Sequence, residues 1–215
     1  MGLLIVAVTL RNPWFSGNFG VVEPHRVYRS AQPDAELPQL IARYRLASVL
    51  NLRGGSSDDR WYSDEVRATR DSMINFYDLP MSATRRPLRR ELLILLDLFG
   101  RCPYPLLIHC KSGSDRTGLA TALYLMSQKG EPPEQAMGAF SLRYGHIPLF
   151  GPEHLHEPLQ EYGAWLKARG EGHTPARLRF WVEQHYRSGD ARRDVPRLQP
   201  GPRRQAPKGA ATTRP

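Results

Sequence analysis

Apolar and polar positions along the chain fall into short alternating blocks. Apolar runs at 27–29, 47–52, 73–78 and 105–109 have the length of strands. The segments between and after them, 34–45, 58–72, 87–99 and 117–129, read as helices. Asp58 and Asp59 stand at the start of the second, where the positive end of a helix favours acids. Pro87 suits the first turn of the third, and Gly130 terminates the fourth. Three further helices, at 132–144, 153–169 and 175–187, give the chain a helical C-terminal region. The alternation predicts an α/β fold, a central mostly parallel sheet flanked by helices. No internal repeat is visible.

Composition separates a body from a tail. The chain has 215 residues, enough for one domain with a sizeable core. Residues 188–215 hold seven Lys or Arg, two Asp, five Pro and three Gly, and almost no large apolar side chain. Such a segment buries too little apolar surface to offset its ordering entropy, and it reads as a disordered tail. It carries net +5 of the chain's +9, so the basic balance is mostly a tail property. Weak contact with an anionic surface is the functional reading of that arm, and specific nucleic-acid binding is not expected. The expected organisation is an apolar N-terminal segment at 1–19, a folded domain at 20–187 and the tail at 188–215. The first ten residues are apolar but too short to span a bilayer, and no basic residue precedes them. They read as an edge strand or a packed segment, with a degenerate export signal or a membrane-resting anchor as the alternative, and the location as cytoplasmic.

Two cysteines make no disulfide framework. Cys102 precedes the strand at 105–109 and Cys110 follows it. At about 3.3 Å per residue that strand separates them by roughly 15 Å, beyond disulfide reach. No His, Cys or Asp cluster has metal-ligand spacing, so the expected chemistry uses neither metal nor cofactor.

The chemistry concentrates at His109 to Gly118, HCKSGSDRTG. A cysteine and an arginine stand six positions apart between an apolar strand and a helix. A tight loop there aims backbone N–H groups and the positive helix end at one point. Lys111, Ser112, Gly113, Ser114, Asp115 and Arg116 would hold an oxyanion, Arg116 through its planar fork. The same field favours the Cys110 thiolate near neutral pH, a nucleophile beside a bound phosphoryl group.

This stretch resembles the Cys-x5-Arg-Ser/Thr signature of the protein tyrosine phosphatase superfamily, including the preceding His. DRTG at 115–118 is similar to the compact dual-specificity-like phosphatases of bacteria, as are VYRSAQP at 27–33, VLNLR at 49–53 and RYGHIP at 143–148. The resemblance covers roughly residues 20–170 and implies a dual-specificity-phosphatase-like fold. It implies a cysteinyl-phosphate intermediate on Cys110, with the Thr117 hydroxyl stabilising the cysteine as it leaves. His109 would hold the loop through hydrogen bonds, or be a packed strand-end histidine. Arg29 would support the loop from the side, or lie on the surface. In relatives a loop before the signature carries an acid, but 79–86 has none. Two proton donors stand open: Asp115, inside the loop as in myotubularin-like phosphatases, and Asp78, at the carboxyl end of the preceding strand. Proximity favours Asp115. The expected substrate is phosphotyrosine or a mixed phosphoprotein. Inositol or lipid phosphates are the alternative suggested by Lys111, Arg85 and Arg86. A phosphate-binding pseudophosphatase is the reading from outside the enzymes. The oligomeric state is not legible in the sequence.

Overall fold

Apolar residues occupy consecutive positions in the central strands, as a sheet covered on both faces requires. The computed structural model describes residues 17–146 and 152–189. The apolar stretch at 1–16 and the basic stretch from 190 onward lie outside these residues. Five strands form one sheet: β1 (Gly20–Glu23), β2 (Val27–Ser30), β3 (Ser48–Asn51), β4 (Asn75–Asp78) and β5 (Leu106–His109), in the order β1-β2-β5-β3-β4. β1 is antiparallel to β2, and the other three pairings are parallel. Seven α-helices accompany them among the described residues: α1 (Leu37–Tyr44), α2 (Arg60–Asp71), α3 (Arg89–Arg101), α4 (Asp115–Gln128), α5 (Pro133–Ala136), α6 (Glu157–Arg169) and α7 (Pro175–Gln184).

Successive side chains of a strand point to opposite faces, and the two cores divide accordingly. Val27, Leu50, Leu52, Leu106 and Ile108 meet Leu92 and Leu95 of α3, Leu119 and Leu123 of α4, and Trp181 of α7. Tyr28, Val49 and Leu107 meet Leu37 and Ile41 of α1 on the other face. β5 enters the sheet last, between β2 and β3, which are themselves separated by it. Register aligns Ser30, His109, Asn51 and Asp78 across four strands, so the segments leaving β2, β3, β4 and β5 gather at one end of the sheet. Open α/β sheets place their sites at this end, where strand order reverses.

Several readings of the sequence need correction. The edge strand β1 was not anticipated from the pattern. The stretch 132–144 is not one helix: α5 gives way to 3-10 turns at Met137–Ala139 and Leu142–Tyr144, with Phe140 and Ser141 out of helical conformation between them. The cause is tertiary, because the Ala139 carbonyl turns to accept from Arg29. Pro87 does not open α3. The helix starts at Arg89 with Leu88 as its cap, and the Glu91 carboxylate reaches back to accept from the Leu88 N–H at 2.8 Å. Pro87 instead offers its carbonyl to the hydroxyl of the fully buried Tyr186, at 2.5 Å. The helix expected at 153–169 is α6 preceded by a 3-10 turn, and α7 ends at Gln184 rather than 187.

The C-terminal helices close over α4 through a neutral histidine. His173 Nε2 lies 3.0 Å from the Met126 carbonyl, and its Nδ1 lies 3.0 Å from the Tyr162 hydroxyl. A carbonyl only accepts, so Nε2 carries the proton and Nδ1 accepts from the tyrosine. Burial, with Arg177 nearby, holds this imidazole below its ordinary 6.5. As pH falls below about 6.5 the unfolded chain takes up a proton that folded His173 resists, so stability drops. His173→Gln is expected to flatten that part of a Tm-versus-pH curve measured by calorimetry, and an unchanged slope would contradict the assignment.

Candidate active site

The segment after β5 turns its carbonyls outward and its N–H groups inward. The Gln32 N–H donates to the Lys111 carbonyl at 3.3 Å, and the Asn18 amide to the Ser112 carbonyl at 2.8 Å. Arg29 Nη2 donates to the carbonyls of Gly113 and Ser114, at 2.8 and 3.3 Å. A trans peptide sets C=O and N–H on opposite sides. Holding these four carbonyls from outside therefore directs the N–H groups of residues 112–115 toward the centre of the loop. One of them, the Gly113 N–H, donates to Cys110 Sγ at 3.3 Å. Helix α4 begins at Asp115, so its first unpaired N–H groups and positive dipole end add to the same focus. The result is a cradle for a tetrahedral oxyanion with a thiol at its floor.

The close approach needs glycine. Gly113 has φ +69°, and a Cβ there would stand 2.5 Å from the Ala31 nitrogen and 2.6 Å from the Ser30 carbonyl group. Lys111 and Ser112 are exposed at the rim, while Ser114 is buried. Cys110 is 1% exposed, and Cys102 is a second buried free thiol at the end of α3.

Two arginines divide the work. Arg116 is buried, and its Nη1 donates to the carbonyls of Leu52 and Met81, each at 3.3 Å. That bond ties the 79–86 loop to the signature through its backbone. Arg29 is 1% exposed, which decides between support and surface in favour of support. Besides the loop carbonyls it holds Ala139 O at 2.9 Å and lies over the Tyr144 ring at 3.7 Å. Burial pulls its guanidinium down to about 10, still protonated at neutral pH.

His109 is fully buried, with Nε2 2.5 Å from Glu65 Oε1 of α2. Glu65 Oε2 accepts from Gln32 at 3.1 Å, and Arg53 donates to the Gln32 side-chain oxygen at 3.4 Å. His109 is thus packed against Glu65, and neither ring nitrogen makes a hydrogen bond among the described residues. Thr117 is buried in the first turn of α4, and its hydroxyl has no hydrogen-bond partner among the described residues.

The two candidate acids occupy different places. Asp78 ends β4, two strands from His109, roughly 9–10 Å at ~4.8 Å per strand. Its Oδ2 accepts from the Tyr62 hydroxyl at 2.8 Å, and burial, with Glu65 adding to it, holds its carboxyl above the ordinary range. Asp115 lies in the loop itself, and its Oδ1 accepts from the Ser114 hydroxyl at 3.1 Å and lies 2.7 Å from His146 Nδ1. The arginines of the 79–86 loop separate. Arg85 is exposed. Arg86 points away from the cradle, paired with Glu157 at 2.9 Å and with Glu161, and donates to the Arg187 carbonyl. It clasps the C-terminal helices, and its expected place at a phosphate pocket is corrected.

Sequence reasoning missed Asn18, Gln32, Glu65 and His146. Gln32 and His146 lie inside VYRSAQP and RYGHIP, singled out as motifs but without roles for these residues. Asn18 and Glu65 carry no local signal, because only the fold brings them to the loop. The turns at 137–146 form a wall behind the cradle: Ala139 holds Arg29, Phe140 meets Gly118, the Tyr144 carbonyl accepts from Asn18 at 3.0 Å, and His146 meets Asp115. Among the described residues no group of three or more His, Cys, Asp or Glu is placed to hold a metal ion, and no helix is long and apolar enough to cross a membrane.

Residues 16–137 match the model of a family described as the tyrosine phosphatase family. The dual specificity protein phosphatase TpbA of Pseudomonas aeruginosa is 30% identical over 112 residues, 52% of this chain and 48% of TpbA. The chain thus spans about half the length of the curated relatives it matches. A crystal structure of P. aeruginosa TpbA in complex with phosphotyrosine superposes with a TM-score of 0.57 at 23% identity, over 80% of this chain and 93% of that one. The catalytic core of the PP-IP phosphatase SIW14 from S. cerevisiae gives 0.54 at 20% identity, over 71% and 93%. These superpositions show the shared fold.

The cradle's geometry predicts the cost of a methyl group. Gly130 has φ +68° with open space around its Cβ position. Gly130→Ala should therefore cost only the left-handed backbone penalty, about 1–2 kcal/mol. Gly113→Ala adds a backbone clash and should cost more, by urea denaturation. It should also lose tungstate binding, which Gly130→Ala should keep. Equal costs with tungstate binding retained in both would contradict this geometry.

Proposed function

This chain belongs to the tyrosine phosphatase family, and on that premise we propose that it is a cysteine-dependent phosphatase of phosphate monoesters. The observation that carries the proposal is the Cys110 sulfur on the floor of a cradle whose carbonyls are all held outward. The N–H groups of residues 112–115 and the Arg116 guanidinium hold the phosphoryl oxygens of the substrate. Cys110 sulfur attacks phosphorus in line, forming the S–P bond as the P–O bond to the leaving group breaks. The leaving oxygen takes a proton from a carboxylic acid. Water then attacks the cysteinyl phosphate, and the S–P electrons return to Cys110, stabilised by the Thr117 hydroxyl. Asp115 is our choice of acid because it stands in the loop. Asp78 is the second reading, favoured by its raised hold on a proton.

The substrate class we propose is phosphotyrosine or mixed phosphoprotein, in line with the phosphotyrosine bound to TpbA. Inositol phosphates are the second class, supported by exposed Lys111 at the rim and by the fold shared with the PP-IP phosphatase. The proposal places the catalytic domain at 20–187 and the basic tail at 188–215, with weak contact to anionic surfaces through the tail and a cytoplasmic location.

Nitrophenyl phosphate hydrolysis tests the activity. Cys110→Ser is expected to abolish turnover while retaining phosphate binding by calorimetry, because the loop N–H groups and Arg116 remain in place. Turnover within a few-fold of the parent would exclude Cys110 as the nucleophile. A parent chain that binds phosphate without turnover would make it a pseudophosphatase.

A further inference from the structure

His146 is part of no reading so far, yet it is the closest polar partner of the loop's own acid. It follows the 3-10 turn at Leu142–Tyr144 and is 6% exposed. Its ring is boxed by Phe140 at 5.0 Å and His156 at 5.3 Å, centroid to centroid. Its Nδ1 stands 2.7 Å from Asp115 Oδ1, and the Asp115 side chain is 24% exposed and so reachable from the mouth of the loop. Among the described residues, both hydrogen-bond contacts of the Asp115 carboxylate fall on Oδ1.

We infer that Asp115 and His146 form one proton-holding pair, with Asp115 delivering the proton and His146 acting as the positioning residue that stores it. The inference rests on the phosphatase reading above and deepens its choice of acid. His146 Nδ1 stands 2.7 Å from Asp115 Oδ1, so a proton on the imidazole lies one hydrogen bond from the carboxylate that faces the loop. In the first half-reaction Asp115 passes the pair's proton to the leaving oxygen as the P–O bond breaks and the S–P bond forms. The pair is left as a carboxylate and a neutral imidazole. In the second, a water proton passes to the pair as the water oxygen attacks phosphorus and the S–P electrons return to Cys110. One proton leaves the pair and one returns, so the cycle closes.

The surroundings suit a pair that changes charge by one. His156 faces the His146 ring from the turn ahead of α6. The Arg29 guanidinium of β2 interacts electrostatically with Asp115, with Cys110, and with Arg143 and Tyr144 of His146's own turn. Ser114 donates to the carboxylate from the loop. Phe140 and His156 pack against the His146 ring, which is 6% exposed, and Asp115 is its polar contact among the described residues.

The test compares two esters, an alkyl phosphate whose leaving group needs a proton and nitrophenyl phosphate whose leaving group barely does. His146→Asn keeps a hydrogen-bond donor near the Nδ1 position but cannot titrate. It is expected to hold nitrophenyl phosphate turnover within about threefold of the parent and to lose on the order of 10–10² on the alkyl ester. Asp115→Asn should show the same leaving-group selectivity, with a loss on the order of 10²–10⁴. Asp78→Asn should lose about equally on both esters. His146→Asn with full alkyl-ester activity, equal losses on the two esters, or leaving-group selectivity in Asp78→Asn alone would each overturn the pair. A parent enzyme inactive on both esters would instead overturn the phosphatase reading, as would turnover in Cys110→Ser.

Discussion

Arg29 is the constraint on which the rest of the site depends. A loop that binds an anion must point several N–H groups one way, so its carbonyls must be satisfied on the other side. Buried carbonyls without donors are costly, and a guanidinium with a rigid fork can serve several at once. Arg29 does this from the middle of β2, joining Gly113, Ser114 and Ala139 at one buried point. Its neighbours along the same strand exit, Gln32 and Asn18, complete the outward set at Lys111 and Ser112. The positive charge buried there also favours an anion in the cradle.

That constraint reaches into the fold. The insertion of β5 between β2 and β3 brings the loop after Cys110 alongside Ser30 and Ala31, close enough that only glycine fits at 113. The turns at 137–146 present the Ala139 carbonyl to Arg29. Arg116 is fixed from the opposite side by Leu52 and Met81, which places the backbone of the 79–86 loop beside the cradle although that loop supplies no acid. Glu65 meets His109 beneath, and Gln32 donates to Glu65, so the walls of the site come from different elements.

Much of this was legible in the sequence where the determinants are local. The buried strands announce themselves as apolar runs because both faces of the sheet are covered, and the thiol, glycine and arginine of the loop lie within ten consecutive residues. Long-range determinants were not. Residues 132–144 carry a helical pattern, but the Ala139 carbonyl of that stretch accepts from the distant Arg29. Pro87 follows a sound rule for helix starts, yet Glu91, three residues after Leu88, was the better signal because it caps the Leu88 N–H. Arg86 was legible as a cation but not as the partner of Glu157 and Glu161, which are more than seventy positions away. Asn18, Glu65 and His146 reach the loop and its neighbours only through packing. The acid line of the site therefore could not be closed from the pattern alone.

The central claim is that Arg29 builds the cradle by holding its carbonyls outward, and oxyanion affinity tests it most directly. Arg29→Lys keeps the charge but cannot serve three carbonyls with a planar fork. Measured by calorimetry with tungstate on the Cys110→Ser background, it should weaken binding at least about tenfold, on the order of 1.4 kcal/mol. The same chain should retain cooperative unfolding. Tungstate affinity unchanged from that of Cys110→Ser alone would contradict the account.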